Sequence, residues 1–200
     1  MYKRQLHIQW NPATDEVEVV NYSAGTRKGL TAKVQILNMD GSVAWEKEAT
    51  VDSNEDTTNK CIKLAFPVNL SKVHFIKMVL TENGKVVSDN FYHRSLEENN
   101  YQDLRQLAKV ALQSTTTVDK HADGTWSAVS VIENKTSTPA LMIRLNVVGN
   151  KDGQQLLPVF YSDNYFSLLP GEKKEVRMSW KDEDTRGNEG KVLITGYNVE

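Results

Sequence analysis

Leu141-Met142-Ile143-Arg144-Leu145-Asn146-Val147 has the period of an extended strand: Leu141, Ile143, Leu145 and Val147 point one way, and Met142, Arg144 and Asn146 the other. Ala32, Val34 and Ile36 alternate with Thr31, Lys33 and Gln35 in the same manner. Successive side chains of a strand leave opposite faces of a sheet, so each run has one face for a core and one for water. Turn pairs separate the runs: Asp40-Gly41, Asn83-Gly84, Asp123-Gly124, Asp152-Gly153 and Pro170-Gly171. Glycine after Asn or Asp accepts the positive φ of a tight hairpin turn. Short strands at this spacing predict an all-β sandwich or barrel.

Working outward, seven strands are expected in the first half, near residues 6–10, 16–21, 31–38, 44–50, 61–66, 74–80 and 86–92. A similar set follows near 110–118, 126–133, 141–148, 156–161, 165–168, 173–179 and 191–198. Seven is the number an immunoglobulin-like sandwich needs. A repeat supports two copies. Asn21-Tyr22-Ser23 precedes an alternating strand and Asp40-Gly41, and Asn134-Lys135-Thr136 precedes another strand and Asp152-Gly153. The fold class is therefore two tandem immunoglobulin-like β-sandwich domains, 1–95 and 109–200. A short helical or irregular connector over 96–108 joins them. Within it, Ser95 and Glu98 have capping-box spacing, and Tyr101, Leu104, Leu107 and Ala108 form one apolar stripe.

Composition narrows the function. Net charge is −2 among 200 residues, with Lys and Arg scattered, which gives no electrostatic footprint for nucleic acid. No apolar run approaches the ~18 residues of a membrane span. The single cysteine, Cys61, has no internal disulfide partner and lies in an apolar alternation, as a small buried hydrophobe would. The amino terminus lacks the apolar run of a secretory signal and enters its first strand almost at once, as expected of a piece cut from a longer polypeptide.

Chemistry-bearing motifs are scarce. There is no phosphate-cradling glycine loop, nucleophile elbow or His-Glu-x-x-His helix. His7, His74, His93 and His121 are scattered, and none has metal-ligand spacing. Asp182-Glu183-Asp184 lacks the alternating carboxylates of a calcium loop and reads as a solvated hairpin tip. Asn21, Asn69 and Asn134 fit the glycosylation pattern, but two of them occupy the repeated corner, where Asn and Ser/Thr serve turn hydrogen bonds. Neither catalytic residues, nor a cofactor, nor a metal is expected. The remaining site is Tyr161, Asp163, Asn164, Tyr165 and Phe166, which suits interdomain packing or stacking on a sugar ring.

The stretch Leu157-Pro158-Val159-Phe160-Tyr161-Ser162-Asp163-Asn164-Tyr165-Phe166-Ser167-Leu168-Leu169-Pro170-Gly171-Glu172 closely resembles the carboxy-terminal domain of exo-β-D-glucosaminidases and β-mannosidase-like enzymes of glycoside hydrolase family two. The resemblance extends to Ala140–Leu145 and Ile194–Asn198, and in the first half to His74–Leu80, Asn83–Tyr92 and Asn100–Leu104. It implies that the chain is the last two immunoglobulin-like domains of such an enzyme, whose catalytic glutamates lie on a (β/α)₈ barrel that no segment here resembles. The implied role is accessory: packing against the catalytic barrel and amino-terminal domains of the same parent chain, with polysaccharide as a further partner. The implied parent is a retaining, periplasmic or secreted hydrolase. The alternative is a stand-alone carbohydrate-binding or cell-surface adhesion module, since sandwiches host many functions.

Overall fold

The computed structural model describes residues 5–22 and 24–200. The chain divides into two compact units, Met1–Arg105 and Gln106–Glu200. Each unit holds two antiparallel sheets face to face.

Unit 1 comprises β1 (Leu6–Asn11), β2 (Glu16–Asn21), β3 (Arg27–Asn38), β4 (Val43–Ser53), β5 (Thr57–Lys63), β6 (Val73–Glu82) and β7 (Lys85–Ser95). One sheet runs β1-β2-β5 and the other β4-β3-β6-β7. The apolar rows predicted from the alternation meet between them: Ala32, Val34 and Ile36 of β3 pack with Ile8, Val17 and Ile76 in one buried cluster. The Asn83-Gly84 pair takes positive φ at both residues, 51° and 75°, the geometry that closes the β6–β7 hairpin.

Unit 2 comprises β8 (Gln113–Lys120), β9 (Thr125–Glu133), β10 (Ala140–Gly149), β11 (Phe160–Tyr161), β12 (Phe166–Leu168), β13 (Lys173–Lys181) and β14 (Gly190–Thr195). Its sheets run β11-β13-β9-β8 and β12-β10-β14, enclosing a core of Ile132, Ile143, Leu145, Val147, Val176 and Trp180 among others. Two tandem immunoglobulin-like sandwiches thus follow from the alternation, because each row of β-branched and leucine side chains needs an opposing sheet to leave water.

Details differ from the sequence reading for identifiable reasons. Leu141 was expected in the core row of β10. Instead Ala140 pairs with Leu168 and Ile143 with Phe166, so β10 carries one extra residue, a bulge. Ala140 joins the core cluster, while Leu141 is buried outside it. The strand expected at 61–66 runs over Thr57–Lys63, and that at 156–161 shrinks to two residues. The strand expected at 110–118 starts at Gln113, leaving Val110 in an isolated parallel bridge to Val199.

The connector contains one five-residue 3₁₀ helix, Gln102–Gln106, and no longer helix. Asn99 explains this: its φ of 58° is incompatible with a right-handed helix running through 96–108. Ser95 Oγ accepts from the Glu97 amide at 3.2 Å, a turn contact rather than a capping box.

Cys61 is half-buried rather than fully buried. Its Sγ donates to the Val17 carbonyl at 3.3 Å, and burial pushes the thiol up to about 11, so it is a poor nucleophile at neutral pH.

Candidate functional site

The repeated Asn corners tie the two sheets of each unit together. Asn21 is buried; its Nδ2 donates to the carbonyls of Gly25 (2.8 Å) and Ser53 (3.3 Å), while its Oδ1 accepts from the Ala24 amide. Asn134 repeats the arrangement: Nδ2 donates to Thr138 and Leu168 carbonyls at 2.8 and 3.0 Å, and Oδ1 accepts from the amide and hydroxyl of Thr136. Both side chains are sealed inside their units and serve turn chemistry. Ser23 lies outside the described residues. A third hub escaped sequence reasoning. Asn198 Nδ2 donates to the carbonyls of Ala108 and Pro139, and its Oδ1 accepts from the Leu141 amide. Nothing in a single Asn near a strand end distinguishes it from a surface polar residue.

The residues near 161–166 divide by role. Ile143 is the last β10 residue that pairs with β12, and side chains continue the ladder beyond it. Asn164 accepts from the Leu145 amide at 2.9 Å and donates to its carbonyl at 3.0 Å, standing in for a strand residue. The Tyr161 hydroxyl accepts from the Val147 amide at 3.2 Å. These bonds satisfy β10 backbone groups that would otherwise lack partners. Phe166 is buried in the core, with Lys174 Nζ 4.9 Å from its ring centroid, and Lys174 pairs with Asp163 at 2.5 Å.

Tyr165 is different. It is 61% exposed and held at φ 61°. The bulge puts Met142 in the same left-handed region, φ 52°, with its side chain 49% exposed. Such conformations cost bulky residues about 1–3 kcal/mol each and concentrate at ligand clamps and similar sites. Both residues border one shallow hollow of about 240 Å³, completed by Arg144, Thr195, Gly196 and Tyr197. Gly196 is required there: a Cβ would come within 2.6 Å of Val199 Cγ2 and 3.0 Å of the Leu141 carbonyl. The Arg144 guanidinium carbon lies 5.9 Å from the Tyr165 ring centroid. Arg144 and Thr195 are directly paired across β10 and β14.

Acid–base chemistry has little to work with. Glu18 is the only buried carboxylate among the described residues, and its oxygens accept from the amides of Gln9 and Asn11 at 3.1 and 3.0 Å. Asp182 accepts from Trp126 Nε1 (2.7 Å) and Lys120 Nζ (2.9 Å), and the Lys120 hydrogen bond holds its carboxyl below the usual range. Among the described residues no group of three or more His, Cys, Asp and Glu is placed to hold a metal ion.

Two histidines of unit 1 are structural. His74 is buried. Its Nδ1 donates to the Ser71 carbonyl at 3.2 Å and its Nε2 accepts from Arg94 at 3.2 Å, a pattern only the neutral ring can satisfy. His93 lies among Phe75 and Phe91, with ring centroids 5.4 and 5.5 Å away. Burial lowers the pKa of both. As pH falls through ~6.5 the unfolded chain takes up protons that the fold resists, so stability falls on acidification by at most about 1.4 kcal/mol per pH unit per ring. Urea unfolding at pH 7.5 and 5.5 should show this loss, and His93→Phe should shrink it. An equal loss in that variant would exclude His93 as a cause.

These features define a class: a pair of immunoglobulin-like domains whose buried asparagines secure corners and edges. The family model of the exo-β-D-glucosaminidase Ig-fold domain matches residues 90–199, and that of the mannosidase Ig/CBM-like domain matches residues 15–95. The chain belongs to the exo-β-D-glucosaminidase Ig-fold domain family. It is 30% identical to the exo-β-D-glucosaminidase of Hypocrea jecorina over 97% of this chain and 24% of that protein. It is 28% identical to the Amycolatopsis orientalis enzyme, over 97% of this chain and 21% of that protein. The crystal structure of A. orientalis exo-chitosanase CsxA superimposes with a TM-score of 0.90 at 27% identity, covering 98% of this chain and 26% of that one. The chain therefore spans about a quarter of the length of these relatives.

Proposed function

We propose that this chain is the non-catalytic, carboxy-terminal accessory portion of a retaining family-two glycosidase of the exo-β-glucosaminidase or β-mannosidase type. It packs against and supports a catalytic barrel encoded elsewhere in the same polypeptide. In this reading 1–95 and 109–200 are the two domains and 96–108 is their connector. The observation that carries the reading is the match of both halves, in order, to immunoglobulin-like domains of such enzymes. The side-chain roles agree with it. Tyr161, Asp163, Asn164 and Phe166 hold the β10 edge and the core, leaving Tyr165 as the residue of this cluster whose side chain is exposed to a surface outside the fold.

Reading the adjoining gene sequence tests this directly. A barrel with two catalytic glutamates should lie in the same frame. A free-standing gene without an adjoining hydrolase would contradict the proposal.

A further inference from the structure

Around the hollow of unit 2, Tyr165 and Tyr197 are 61% and 44% exposed, and Arg144 and Thr195, paired across β10 and β14, line it with them. From this arrangement we infer that the hollow is a binding subsite for a neutral, β-linked oligosaccharide. A tyrosine ring offers an apolar face to the C–H face of a sugar and a hydroxyl to its rim. Arg144 and Thr195 add hydrogen-bonding groups to the same lining. The hollow, about 240 Å³, is smaller than the ~300–1,000 Å³ pockets that enclose drug-sized ligands and suits one sugar ring at a time.

Charge selects the class of sugar. The lining holds one cation, Arg144, and no carboxylate, and the outward residues of β14 beyond Thr195 are first Leu193 and then Lys191. A glucosamine unit with a free ammonium would be repelled, whereas a neutral hexose or an N-acetylated unit would not. Shape favours a sugar over a protein partner. A stable protein interface needs roughly 800 Å² per side around a buried core, whereas here six residues line one small, shallow hollow.

The subsite deepens the accessory reading by giving these domains a grip on polysaccharide. Its failure is separable from failure of that reading, because loss of sugar binding would leave the domain assignment intact.

The test is titration of the ¹⁵N-labelled 200-residue chain with β-1,4-mannohexaose, and in parallel with fully deacetylated chitosan hexamer. Saturable amide shifts at Tyr165, Thr195, Gly196 and Tyr197 are expected, with a Kd on the order of 1 mM. Tyr165→Asn, a residue at ease with left-handed φ, and Tyr197→Ala should each weaken binding by about tenfold or more while keeping a dispersed spectrum. No shift with mannohexaose, tighter binding of the chitosan hexamer, or shifts that survive both substitutions would overturn the inference. So would sedimentation showing that the same face instead pairs two copies of the chain.

Discussion

Asn134→Ala should destabilise unit 2 by about 3 kcal/mol, among the largest losses available to a single polar substitution in this chain. The side chain is fully buried and makes four hydrogen bonds, two as donor and two as acceptor. Removing it leaves the Thr138 and Leu168 carbonyls and the Thr136 amide without that partner. Each buried orphan costs about 1–3 kcal/mol, partly recovered where water enters. For a unit of this size the loss corresponds to a fall in Tm of roughly 15 °C. Asn134→Asp keeps the shape but turns an acceptor-only oxygen toward the Thr138 and Leu168 carbonyls in a fully buried site, so it should cost at least as much as alanine. Thermal unfolding followed by amide exchange in β9 and β10 measures the effect. A change below about 1 kcal/mol would mean that the corner is held by its backbone alone.

Trp180→Ala should cost as much or more, about 3–5 kcal/mol. Trp180 is 2% exposed and stacks on Trp126 at 6.3 Å with an interplanar angle of 5°. Its ring also fills the space above Gly190, where a Cβ would lie 2.9 Å from Trp180 Cζ2. Truncation opens a cavity between the sheets that side chains anchored to two ladders cannot close. The Trp180 Nε1 is buried without a hydrogen-bond partner among the described residues. Trp180→Phe therefore forfeits volume and no hydrogen bond, and should cost less than half as much as alanine. Urea unfolding of the three proteins, read through amides of β9 and β13, gives the comparison. Equal losses in Phe and Ala would show that the indole nitrogen matters after all.

The sequence carried the architecture further than the site. Leu141–Val147 and Thr31–Ile36 announce strands because a two-residue period cannot be satisfied by a helix, and the Asn-x-Ser/Thr corners, 113 residues apart, announce a repeat. The bulge in β10 was not legible, because left-handed φ at Met142 is imposed by its neighbours and has no signature in methionine itself. The same limit applies to Asn99, whose conformation ends a helical stripe that Tyr101, Leu104 and Leu107 would otherwise suggest. Tyr165 was visible within an aromatic cluster. Its companions Met142, Arg144, Thr195 and Tyr197 were not, since only the pairing of β10 with its neighbouring strands gathers residues 21 to 32 positions from Tyr165 into one hollow. Asn198 was missed for a similar reason: its three partners belong to segments near residues 108 and 140.

The account as a whole depends on the chain folding as two sandwiches that perform no hydrolysis of their own. The most direct measurement is turnover of p-nitrophenyl β-D-glucosaminide and β-D-mannoside by the purified 200-residue chain, with folding verified by dispersed amide resonances. A folded chain with release of p-nitrophenol at the buffer rate is the predicted result. Release above that rate that disappears when a single carboxylate of the chain is substituted would place a catalytic centre inside these domains and contradict the account.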